Sequence, residues 1–80
     1  MDRKLAKHVA REAFRSGRNL EELLPLLREH CDDGEHDEYR RAIAMAIFAI
    51  QNELLKKVFA EHPTLEDEIE GDIRTYGRLL

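Results

Sequence analysis

The densest group of chemically versatile side chains is the stretch His30-Cys31-Asp32-Asp33-Gly34-Glu35-His36-Asp37-Glu38. Thiolate, imidazole and carboxylate together could hold zinc or another transition metal. The spacing has neither the paired Cys-x-x-Cys nor the His-x-x-x-His element of a structural zinc site. It also lacks the alternating oxygens and sixth-position Gly of a calcium loop. An acidic turn whose Asp and Glu side chains cap the following helix accounts for it more simply. Cys31 adjoins His30, but neighbours on a helix point about 100° apart, so the two do not make a nucleophile–base pair. The chain therefore reads as a non-enzyme, with no catalytic residue, cofactor or metal and no small-molecule substrate.

A second constellation is basic. Lys4, Lys7, Arg11, Arg15 and Arg18 fall on one arc of a helix at the start of the chain. Such an arc can neutralise phosphates and release counterions, which makes a nucleic-acid-associated regulator the alternative reading. Opposing it, the whole chain carries a net charge of −4 and the longest helix opens with Glu35, Asp37 and Glu38. Those acids would repel DNA from a recognition helix. Charge is also distributed by segment. Residues 1–18 are net +4, residues 19–38 net −7, residues 39–62 net +2 and residues 63–80 net −3. Complementary packing of helix faces is the economical use of that pattern.

The elements carrying these groups are all helical. Met1, Leu5, Val9 and Ala13 make an apolar stripe on a first helix from about Asp2 to Arg15, which Ser16-Gly17 should end. A second helix should start at the Asn19 cap, with Glu22 completing a capping box. Its apolar side is Leu20, Leu23, Leu24, Leu26 and Leu27. Pro25 lacks the N–H that would bond Glu21, so a kink or short turn belongs there. A long third helix runs from His36 or Asp37 to Ala60. A fourth starts at a Thr64 cap and buries Leu65, Ile69, Ile73, Tyr76 and Leu80, with Gly71 and Gly77 weakening it and its last turn fraying.

The third helix contains the nine-residue apolar run 42–50, too short to cross a membrane, where about 20 residues are needed. At uniform helical pitch it shows two apolar stripes. Tyr39, Ile43, Ala46, Ile47, Ile50, Leu54 and Val58 form one. Met45, Phe48, Leu55 and Phe59 form the other, and with Arg41 and Asn52 they make a heptad seam at 41, 45, 48, 52, 55 and 59. A helix apolar on two sides must be enclosed by other protein. An 80-residue chain buries only about 60–65% of its unfolded surface, so a partner is the natural source of enclosure.

With 42% hydrophobic and 38% charged residues and few Gly and Pro, the chain fits amphipathic helices. One cysteine allows no internal disulfide, and no apolar segment follows the charged start, so the sequence predicts a cytoplasmic protein without a signal peptide. Residues 1–80 are expected to form one all-α domain: four helices, the third long and central, associating as a homodimer. The expected function is a small non-enzymatic interaction or regulatory module, contacting itself or another protein through Met45, Phe48, Asn52, Leu55 and Phe59.

Overall fold

Caps set where the helices begin. Asp2 accepts the Leu5 amide at 2.9 Å and starts α1 (Arg3–Glu21). Asp32 accepts the Glu35 amide at 2.8 Å and starts α3 (Asp33–Ala49). Each carboxylate satisfies an orphan N–H of the first turn and favours the positive end of the helix dipole. In the computed structural model, which describes residues 1–76 (the side chains of 1–74), every element is helical and no strand occurs among the described residues. Between α1 and α3 lies α2 (Leu23–His30); after α3 come a π-helical turn (Ile50–Leu55), α4 (Lys56–Glu61) and α5 (Pro63–Tyr76). Gly77, Arg78 and Leu80, and the Tyr76 side chain, lie outside the described residues.

The expected count of four helices gives way to three helical stretches, the first interrupted at Glu22. Ser16-Gly17 does not end the first helix. Gly17 sits inside α1 facing α3, where a β-carbon would lie 4.0 Å from the Ile47 Cγ1 and Cγ2 atoms. The chain bends instead at Glu22, in right-handed helical conformation, three residues before Pro25. Pro25 cannot donate to Glu21, so the break falls in the turn ahead of it. Asn19 is therefore helical, not a cap. At the other end, Pro63 opens α5 one residue before Thr64, a position whose missing N–H costs nothing.

The second stretch is unbroken from Asp33 to Glu61, but its pitch changes in the middle. The Lys56 amide bonds the Gln51 carbonyl, five residues back. A π turn of this kind inserts one residue into the helical register. Its effect is visible in what is buried. Ile43 is buried and Ile47 and Ile50 are half-buried, as uniform pitch predicts, but the next core residue is Leu55 and not Leu54. Leu55 is 4% exposed and Leu54 42%. Val58 then follows Leu55 by the ordinary step of three and is buried.

The main core joins α1, the π turn, α4 and α5 through Ala6, Ala10, Ala13, Leu55, Val58, Leu65 and Ile69, with Val9, Phe14, Ile50 and Phe59 at its edge. The α1 face differs from the expected Met1-Leu5-Val9-Ala13 stripe. Met1 and Leu5 are exposed, and alanines at 6, 10 and 13 face inward. Side chains of one carbon let the α1 backbone come close to the π turn and α4, where a leucine would hold it off. No residue of α2 is fully buried.

This leaves a thin molecule. Its principal extents are 45 × 26 × 15 Å and its radius of gyration is 14.8 Å, against about 11–12 Å for a compact chain of this length.

Because Gly17 is mid-helix with room for a methyl group, Gly17→Ala should stabilise the fold by about 0.5–1 kcal/mol. Urea denaturation measures this. A helix that ended at Gly17 in left-handed conformation would instead lose stability.

Candidate functional site

The outer face of α3 lies opposite the side packed on α1 and α2. Helical pitch puts Arg41, Met45, Phe48 and Asn52 on it, about half a turn from Ile43 and Ile47. Met45 is 73% exposed and Phe48 67%, and Ala42, Ala44, Ala46 and Ala49 around them are exposed too. Asn52 donates from Nδ2 to the Phe48 carbonyl at 3.2 Å. That bond serves the mouth of the π turn, where the carbonyl ladder is disturbed. The Oδ1 atom of Asn52 keeps its acceptor capacity.

The expected seam is therefore divided. Met45, Phe48 and Asn52 share the outer face. Leu55 and Phe59 do not: Leu55 is in the core and Phe59 is half-buried against it. The cause is the extra residue of the π turn, which rotates everything downstream relative to a uniform heptad. Asn52, Leu55 and Phe59 instead line a groove of about 580 Å³ with Phe14, Gln51, Lys56, Ala60 and Glu66. Among the described residues its ionisable side chains are Lys56 and Glu66. The exposure of Met45 and Phe48 is the feature that sequence reasoning located, whereas the five-residue step had no sequence signal beyond two adjacent leucines.

The basic arc of α1 is partly engaged within the fold. Lys7 Nζ lies 2.7 Å from Glu68 Oε1 and 3.7 Å from Asp72 Oδ2 on α5. Arg3 bonds the other Glu68 oxygen and also donates to Thr64 Oγ1 at 2.9 Å. Arg15 pairs with Glu12 at 3.0 Å, Arg11 is half-buried, and Lys4 and Arg18 are exposed. The five residues Lys4, Lys7, Arg11, Arg15 and Arg18 thus do not present one open cationic surface. The bonds from Lys7 and then Arg3 hold the Glu68 carboxyl below its ordinary pKa, against a smaller opposing effect of burial.

The His30–Glu38 stretch is also used for structure. Asp32 caps α3, and His36 is buried beside Leu24 and Pro25 where α2 meets α3, while His30 is exposed. A hydrogen bond to Glu35 raises the Cys31 thiol above its ordinary pKa, as do the negative charges of Glu35 and Asp32. A protonated thiol is the poor form for nucleophilic attack or metal binding. Among the described residues no group of three or more His, Cys, Asp or Glu is placed to hold a metal ion, and no helix is long and apolar enough to cross a membrane.

Comparison of the chain with protein families, with curated proteins and with solved structures finds no match.

Glu68→Gln should lower stability at neutral pH by about 1 kcal/mol or less, the scale of solvent-screened pairs. A lowered folded pKa contributes stability above the unfolded glutamate pKa of about 4.3 and loses it as pH falls through the folded value. The gap between wild type and variant should accordingly close in urea titrations run at progressively lower pH. A gap that persists in strong acid would show that the pairs with Lys7 and Arg3 are not its source.

Proposed function

We infer that this chain is a small non-enzymatic interaction or regulatory module that works as a homodimer through the outer face of α3. The observation that carries the reading is the exposure of Met45 and Phe48, 73% and 67%, on a helix face bordered by exposed alanines. Two large apolar knobs among small residues form a surface suited to another helix. The thin shape and an inner core rich in alanine support the same reading, because a chain that buries little of its own surface gains most from a partner. Recognition is the whole mechanism: apolar contact supplies affinity, and the surrounding charges set orientation and association rate.

The divided seam provides the test. Phe48→Asp should leave the helical circular dichroism signal intact and reduce the mass seen by light scattering from dimer to monomer. Leu55→Asp buries a carboxylate in the core and should unfold the chain. A folded Phe48→Asp variant whose mass matches that of a dimeric wild type would remove the α3 face from the interface.

A further inference from the structure

We propose that two copies pair antiparallel along α3, about a twofold axis between Met45 and Phe48. The proposal rests on the homodimer reading and adds its geometry. The occupant of the exposed face is a second copy of this chain, and charge decides which way it runs.

The helix from Asp33 to Glu61 is electrically asymmetric. Its first turns carry Asp33, Glu35, Asp37 and Glu38, all exposed, and its far half carries exposed Lys56 and Lys57 together with exposed Glu53 and Glu61. The preceding Glu21, Glu22, Glu29 and Asp32 are exposed acids as well. Arg40 reaches Asp37 at 3.6 Å from the same helix. A parallel pair would set four acids against the same four acids and lysines against lysines. It would also place Arg41 opposite Arg41 in the seam. An antiparallel pair removes these like-charge contacts. About an axis midway between Met45 and Phe48, Met45 meets Phe48 of the second copy. Asp37 then lies across from Lys56 of the second copy, and Arg40 across from its Glu53.

The same axis sets Arg41 opposite Asn52 of the second copy. Arg41 is exposed with no ion pair among the described residues, and a guanidinium only donates. Asn52 has already turned its Nδ2 toward the Phe48 carbonyl, which leaves Oδ1 as the acceptor. The two polar seam positions thus complement each other across an antiparallel interface. In a parallel one, each would meet its own kind. Like charges placed opposite one another destabilise a helix pair, while opposite charges at its flanks set partner orientation.

Disulfide trapping in the full chain tests this. In a Cys31→Ser background, Arg41→Cys and Asn52→Cys are made separately; both sites are exposed, and circular dichroism with light scattering under reducing conditions checks that each variant keeps the fold and mass of the wild type. An eleven-residue separation along a helix is about 16 Å, far beyond the roughly 7 Å Cα span of a disulfide. Under mild oxidation each variant alone should stay uncrosslinked, and the mixture should yield a covalent 41–52 dimer. Covalent dimer from either variant alone would overturn the antiparallel arrangement in favour of a parallel one. No crosslink in the mixture, with a dimeric mass by light scattering under reducing conditions, would overturn it by placing the interface elsewhere. A monomeric mass for the wild-type chain would remove the homodimer reading itself, a different failure.

Discussion

The arrangement depends on one five-residue step. Between Ile50 and Leu55 the helix takes a π turn, and the core side of the rod passes from Ile43, Ile47 and Ile50 to Leu55 and Val58. Without that step Leu54 would face α1, Leu55 would join Met45 and Phe48 outside, and a single seam would run the length of the helix. With it, the downstream half of the seam becomes core, and the upstream half is left in solvent. π turns are uncommon because their hydrogen bonds are less well formed than those of an α-helix. Here the cost is offset by Leu55 packing with Ala10, Ala13 and Val58, and by the Asn52 amide on the Phe48 carbonyl.

That division shapes the energetics. Among the described residues, three of the buried apolar side chains are alanines, and Leu65 and Ile69 are the largest fully enclosed. Alanine contributes little buried area but lets helices approach, so the fold gains contact density more than hydrophobic transfer. The ends of α1 and α5 are then held by Glu68 between Arg3 and Lys7, with Asp72 behind. Exposed pairs of this kind are individually weak. Their value here is in orienting α5, whose apolar side meets the core through Leu65 and Ile69 among the described residues.

Much of the architecture was legible in the residues. The periodicity of Ile43, Ile47 and Ile50 and of Leu65 and Ile69 marks helix faces that packing then used. The proline effect at Pro25 and the capping role of the acidic turn follow from missing and orphan N–H groups. Three features were not legible. Gly17 carries the usual signal for a helix end, yet it is mid-helix where α1 passes Ile47. Ala13 lies on the expected stripe and is buried, but alanines at 6 and 10 are weaker hydrophobic signals than Met1 and Leu5, and close approach favoured the smaller residues. In Leu54-Leu55 either leucine can fill the core, and the π turn packed on α1 selects Leu55. Of the surface expected from the heptad, Met45, Phe48 and Asn52 are exposed on the outer face, while Leu55 and Phe59 are turned inward by a register change that periodicity cannot reveal.

The register change can be read directly from the two leucines. In a methyl-resolved NMR spectrum recorded with a soluble paramagnetic agent, the Leu54 methyls should broaden strongly, and the Leu55 methyls should be protected like those of Leu65 and Ile69. Protection of Leu54 with broadening of Leu55 would mean uniform helical pitch through residues 50–55, and the account built on the π turn would fail.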